Sequence, residues 1–340
     1  MPLWTDLITP VEATGIARAE LELIEQAKGN LSRWLPNVTV ASDHVKFMLG
    51  DHGLVDEAFY RAFNAAPEII GGEPIKSTMI ELPAVSSNQP IDERTQKDMK
   101  RLSDDQLRKG IESSIRRAVQ SMADRNERTK GVVVHTGRAT VTQHNFLMDD
   151  NFGRDAALSY TLTKLWSDSS ADGLGDLSAA IELYASKNNG VEPGCILMSR
   201  AAFAAFSNLA QFRTVLVGGA TRQPMAGEVN GIIEAAGFPQ IEQYNRATKS
   251  GLVLPKEWIY FLPEPTDPSN PDGTALGATF WGETVTATSP EFDIPDSEQP
   301  GLVVGVYRED RIPYEVEVMA DAITLPVARD ANKAMAVKVL

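Results

Sequence analysis

SDDQLRKGIESSIRRAVQSMADRNERTKG, residues 103–131, is the most regular stretch of the 340-residue chain. Leu107, Ile111, Ile115, Ala118, Val119 and Met122 recur at spacings of three and four, which places them on one stripe of a helix. Ser103 stands where a side-chain oxygen can accept from a free N–H of the first turn, and Asp104 and Asp105 put negative charge at the positive end of the helix dipole. The basic residues crowd toward the far end, and Gly131 follows Lys130 as an expected stop. From Asp104 to Arg128 such a helix measures about 37 Å, a rod with one dry face against which a sheet would pack.

Upstream of this rod the chain reads as two unusual pieces. A helix from about Val11 to Lys28, stopped at Gly29-Asn30, leads to an amphipathic turn with Leu31, Trp34 and Leu35, so residues 1–37 form an arm with too little apolar surface to stand alone. Residues 38–90 then alternate loosely, with Val38, Val40, Val45, Phe47 and Leu49 on one leg and Ile75, Met79, Ile80 and Leu82 on the other. Gly53, Pro67 and Gly71-Gly72 sit between the legs, which predicts a long two-stranded excursion with an irregular tip. A two-stranded ribbon is marginal in water, so something must pack along it. The tip residues Phe59, Tyr60, Phe63, Ile69 and Ile70 have no apolar partner within the segment. They point to an interlocking contact between subunits.

Downstream, Val132 to His135 and Ala139 to Thr142 are expected to form a hairpin about Thr136-Gly137-Arg138. From about Asp176 helices alternate with strands: helices at 177–186, 200–209 and 228–236, strands at 195–198, 241–244 and 258–262. The last sixty residues read as strands at 284–288, 302–307, 314–319 and 334–339.

Composition sets the class. Hydrophobic residues make up 43% and charged residues 23%, which fits a folded globular chain, and no uncharged apolar run is long enough for a spanning helix. The net charge of −14 argues against a general nucleic-acid binder, which would present a positive face to phosphates. The charge is unevenly spread: residues 92–130 carry a net +3, whereas residues 259–326 carry −11. An acidic surface keeps a protein soluble, and it would also tolerate a packed polyanion nearby without adhering to it.

Reactive chemistry is sparse. There is no phosphate loop, dinucleotide fingerprint, nucleophile elbow or His-Glu-x-x-His, and Gly173-Leu174-Gly175 lacks the third glycine. His44, His52, His135 and His144 show no i, i+4 pair for a metal, and His44 with Asp43 and Asp51 reads as exposed ribbon polarity. The single Cys195 has apolar flanks and is expected only to pack. No catalytic, cofactor-binding or metal-binding residue is nominated, and no cofactor is expected. Arg116, Arg117, Arg125 and Arg128 are interleaved with Glu112, Asp124 and Glu127, so a salt-bridged helix face is expected, with ion pairs to a neighbouring subunit as the functional version.

In its order of elements the sequence resembles the major capsid proteins of tailed phages, and more closely the lambda-type capsid protein E family. The likeness is carried by Leu3-Trp4-Thr5-Asp6-Leu7-Ile8, Leu35-Pro36-Asn37, Gly53-Leu54-Val55-Asp56, Tyr60-Arg61-Ala62-Phe63 and Ile80-Glu81-Leu82-Pro83. The resemblance implies an α+β chain of the Hong Kong 97-type fold. Its parts would be an N-terminal arm (1–37), an extended β-ribbon loop (38–90), a peripheral domain with the spine helix (91–172), an αβ axial domain (173–283) and C-terminal strands (284–340) returning to the peripheral domain.

The implied function is a structural shell around double-stranded DNA in the virion, assembled in the host cytoplasm from hexamers and pentamers of the chain, without an enzymatic role. Implied partners are further copies, a separate scaffolding protein, a portal at one vertex and a decoration protein, with no sequence-specific DNA binding and no membrane. The expected inter-subunit contacts are Trp34, Phe59, Tyr60, Arg61, Phe63, Ile69, Ile70, Arg125 and Arg128. A cellular enclosing shell of the same fold is the alternative, and an αβ enzyme built on residues 176–262 a more distant one.

Overall fold

The computed structural model describes residues 1–27, 29–49, 76–100, 103–143, 146–212, 224–312 and 314–340. It begins with helix α1 (Pro10–Gln26), where Thr9 Oγ1 accepts from Glu12 N and Pro10 occupies a first-turn site whose N–H would be unused. Strands β1 (Asn37–Thr39), β2 (His44–Leu49), β3 (Lys76–Glu81) and β4 (Ala84–Ile91) follow. A short helix α2 (Glu93–Lys100) then leads to α3 (Asp104–Thr136). Beyond it lie β5 (Arg138–Gln143), β6 (Phe146–Asn151), β7 (Ser159–Thr161), α4 (Gly173–Lys187), β8 (Cys195–Met198), α5 (Arg200–Ser207) and α6 (Ala226–Ala235). The remaining strands are β9 (Gln240–Gln243), β10 (Ala247–Thr248), β11 (Gly251–Leu252), β12 (Trp258–Leu262), β13 (Gly277–Gly282), β14 (Val303–Arg308), β15 (Val316–Ala328) and β16 (Met335–Lys338).

Helix α3 is the spine. It starts where the Ser103 hydroxyl accepts from Gln106 N, and it runs 33 residues, about 50 Å, to a left-handed Gly137. The expected stop at Gly131 is therefore wrong, as is the strand over Val132 to His135: Val133 and Val134 are fully buried helix positions. Gly131 has another purpose. A Cβ there would lie 2.5 Å from Val253 Cγ1 and 2.9 Å from the Val253 carbonyl oxygen, so the helix passes another backbone at a distance only glycine permits. Gly131→Val is expected to cost about 2–3 kcal/mol through overpacking, read as a lower denaturant midpoint at unchanged slope.

Two sheets frame the spine. The first has the order β1-β13-β15-β14, with β4 also paired to β15; β1 runs parallel to β13 and the other pairings are antiparallel. With α1 and the stripe Ile111, Ile115, Ala118, Val119 and Met122 it encloses one core, to which Val304, Val306, Val316, Val318 and Ala320 also belong. The second sheet, β7-β16-β12-β8-β9, belongs to the αβ lobe and is packed by α4, α5 and α6 around Phe206, Phe212, Trp166 and Tyr184.

Several expectations change. Met335–Lys338 does not return to the peripheral sheet: it pairs with β12 and β7 inside the lobe's sheet, whereas β13, assigned to the axial segment, lies between β1 and β15. Residues 284–288 turn instead of extending, because Thr284 Oγ1 accepts from Ala287 N and closes a bend that leaves Val285 88% exposed. The extended loop is narrower than 38–90, since β1 and β4 are strands of the body. The strand expected over Ala139 to Thr142 forms its hairpin with β6 and not with residues 132–135, with Arg138 opposite Asn151.

Candidate subunit interface

The ribbon is rooted by its alternation. In β2–β3 Val45 lies opposite Ile80 and both are buried with Leu82 in the central core, while Lys46 faces Met79, which is 65% exposed. Leu82 N donates to Asp43 O and closes the base. The sheet has two strands only, so among the described residues no strand of the same chain lies along either edge. Phe59, Tyr60, Arg61, Phe63, Ile69 and Ile70, with His52, lie outside the described residues.

Trp34, expected at a subunit contact, is packed inside its own subunit. It is 1% exposed, its Nε1 donates to Pro263 O at 2.9 Å, and Arg33 lies over its ring while pairing with Glu242 at 2.7 Å. The apolar turn after α1 plugs the core of its own subunit, where an amphipathic turn and an intermolecular plug have the same sequence pattern.

The arginines of the spine divide into two groups. Toward the arm they are neutralised: Arg108 bonds Glu12 and Glu112, and Arg116 lies 3.5 Å from Glu20. Toward the lobe, Asp124 pairs with Arg246 at 3.1 Å, and among the described residues no carboxylate pairs with Arg125 or Arg128. Arg128 Nη2 donates to Thr248 Oγ1 at 2.6 Å and to Gly251 O at 3.0 Å. Arg125 is half-buried, and burial, then the charge of Arg128, lower its pKa from the ordinary value. Both line a cavity of about 420 Å³ between α3, the start of β4, the end of β15 and the β10–β11 turn, into which Lys249 also opens. Phe146 forms part of its wall at 46% exposure, and Leu147 beside it is 77% exposed. The lining thus carries Arg125, Arg128 and Lys249 against the one carboxylate of Asp124, with an apolar lip at Phe146.

Lys249 and the Phe146-Leu147 tip were not anticipated. The turn signal Thr248-Lys249-Ser250-Gly251 marks a loop, but nothing local says that it faces the spine. Cys195 behaves as expected: it is 2% exposed, and burial, the main cause, pushes its thiol up to about 12. Among the described residues no group of His, Cys, Asp and Glu could hold a metal ion, and no helix is long and apolar enough to cross a membrane.

A sequence profile of the family described as phage major capsid protein E matches residues 36–270, more than half of the chain. The chain belongs to that family. No curated protein matches it in sequence. Two solved structures illustrate its fold. A prophage capsid protein from Escherichia coli CFT073 superposes with a TM-score of 0.63 at 13% identity, covering 96% of this chain and 99% of that one. A phage-related protein from Bordetella bronchiseptica RB50 gives 0.59 at 13% identity, with 98% of each chain covered. The fold is the Hong Kong 97-type capsid fold, and the chain is a structural protein of the capsid shell.

Proposed function

We propose that copies of this chain close into an icosahedral shell of hexamers and pentamers that encloses double-stranded phage DNA without gripping it by sequence. The reading places the shell in the virion and its assembly in the host cytoplasm, with a separate scaffolding protein, a portal at one vertex and a decoration protein outside. A mechanical role accounts for a chain with no nominated catalytic residue. The observation that carries this is the core-anchored β2–β3 ribbon, along which, among the described residues, no third strand of the chain runs.

The receptor we propose for it is the cationic cavity on a neighbour's spine. Residues 51–73 contain five acidic residues and one basic, Arg61, so they complement Arg125, Arg128 and Lys249, while Phe59, Tyr60, Phe63, Ile69 and Ile70 would meet Phe146 and Leu147. Each such contact is weak, and the closed symmetry of many copies makes the shell stable.

Electron microscopy of the expressed chain, alone and with a candidate scaffolding protein, tests the reading: closed shells are expected. Arg125→Glu with Arg128→Glu is expected to leave a folded subunit, judged by circular dichroism, that forms no shells. Raising salt from 0.1 to 1 M should weaken assembly of the unaltered chain, because the Debye length falls from about 10 to about 3 Å. A chain that stays monomeric under every condition would overturn the shell, and normal shells from the doubly reversed variant would overturn the receptor.

A further inference from the structure

We propose that the cavity beside Arg125 and Arg128 binds a small multivalent oxyanion of the phosphate class, which competes there with the neighbour's acidic segment. The competition rests on the reading of the cavity as that segment's receptor, whereas the anion site stands on the wall itself. Three cations converge on it, Arg125 and Arg128 from α3 and Lys249 from the β10–β11 turn. The one carboxylate of the wall, Asp124, already accepts from Gln120 Nε2 at 2.9 Å and from Arg246 Nη2 at 3.1 Å. Arg128 spends Nη2 on Thr248 Oγ1 and Gly251 O. Among the described residues its Nε and Nη1, the Arg125 guanidinium and the Lys249 ammonium have no acceptor.

Placement makes these cations receptive. Arg125 is half-buried, and desolvation, then the charge of Arg128, disfavours its protonated form. A multivalent anion between the two arginines opposes both effects, because it replaces lost water and neutralises like charges. Guanidinium forks meet the oxygens of an oxyanion two at a time, and Lys249, exposed on its turn, adds a mobile point charge. The same wall includes Asn126 and Thr324, 3% and 2% exposed, and Asn126 Nδ2 and Thr324 Oγ1 have no hydrogen-bond partner among the described residues. An unmet buried polar atom is costly, and both atoms can donate to a ligand that offers acceptors.

The overall charge selects for a small ligand. At −14 the chain repels a polyanion on approach, whereas a small anion needs only the local field of the cavity. About 420 Å³ accommodates an oxyanion with part of its water shell and excludes a duplex. With the anion in place the cations are neutralised, and the five acidic residues of a neighbour's segment 51–73 lose their complement.

Isothermal titration calorimetry tests the site with inorganic phosphate as the probe. The full chain is diluted below the concentration at which shells appear, and sodium chloride holds the ionic strength constant. One phosphate per subunit is expected, bound roughly tenfold more weakly by Arg125→Gln and not at all by Arg125→Gln with Arg128→Gln. Arg116→Gln, whose arginine faces Glu20, should bind as the unaltered chain does. Heat no greater than that of chloride, or equal binding by the doubly substituted chain, would overturn the site; should that chain fail to fold, Arg125→Gln decides. Light scattering then reads the competition: at equal ionic strength phosphate is expected to slow assembly more than chloride does. Phosphate that binds without this extra slowing would overturn the competition and the receptor with it, and leave the anion site standing. Absent phosphate binding, with shells still lost in Arg125→Glu with Arg128→Glu, would overturn the anion site and leave the receptor.

Discussion

Ile111→Asp is expected to abolish folding of the subunit. Ile111 is fully buried on the inner stripe of α3, where the spine, α1 and the sheet strands β14 and β15 share one core. Truncating a buried aliphatic side chain costs about 2–5 kcal/mol, and an unpartnered carboxyl in its place adds a further penalty of at least about 1–3 kcal/mol. The sum approaches the whole stability of an ordinary domain, about 5–15 kcal/mol. The variant should be recovered only from the insoluble fraction, whereas Ile111→Val, costing about 0.5–1.5 kcal/mol, should fold and assemble. A soluble Ile111→Asp subunit with an unaltered melting transition would mean that this face of the spine is not the one against the sheet.

That face was legible because the periodicity of α3 and the location of its buried stripe express the same fact, and because the Ser103 cap is local chemistry. The far end was not legible. Gly131 followed by Val132-Val133-Val134 has the local preferences of a helix stop and a strand, and only the passage of Val253 against the helix explains a glycine inside it. Tertiary packing overrode propensity there. The ribbon root shows the opposite case: the alternation of the two legs puts Val45 and Ile80 on the buried face, where they lie opposite each other. The cationic cavity could not be inferred, since it gathers side chains from α3, β4, β15, the β5–β6 hairpin and the β10–β11 turn. The burial of Trp34 in its own subunit was not legible for a related reason, because a buried indole and an interface indole carry the same sequence signature.

Arg154→Met is expected to lower subunit stability by about 3 kcal/mol and to loosen the end of the spine. The last carbonyls of a helix lack intrahelical donors, and at the end of α3 Arg154 supplies them. Its Nη1 donates to His135 O at 2.9 Å, its Nη2 to Val134 O at 2.7 Å and Val133 O at 3.4 Å, and its Nε reaches Ala331 O at 3.3 Å. A cation here also complements the negative end of the helix dipole, and desolvation, opposed only in part by Tyr260, pushes the guanidinium down to about 10. Hydrogen bonds to a charged group are worth about 1.5–3 kcal/mol each and do not add fully, hence the expected loss. Arg154→Lys should recover only part of it, because an ammonium cannot reproduce the planar fork that serves the helix end and the Ala331 turn together.

A pH series separates the capping role from simple packing. The His135 ring lies edge-on to Trp258, and burial, then the Arg154 charge, holds its pKa below the usual value. The unfolded chain therefore takes up this proton first as the pH falls, so the subunit loses stability below about pH 6.5 and keeps it above. In Arg154→Met the charge contribution is gone, the two pKa values draw closer, and stability should fall less steeply between about pH 6.5 and 5. A variant that loses stability but retains the full acid slope would show that Arg154 acts by filling space. The shallower slope, together with faster exchange of the amides near Gly137, would show that a single cation fixes where the spine ends and so sets the angle at which the β5–β6 hairpin leaves it.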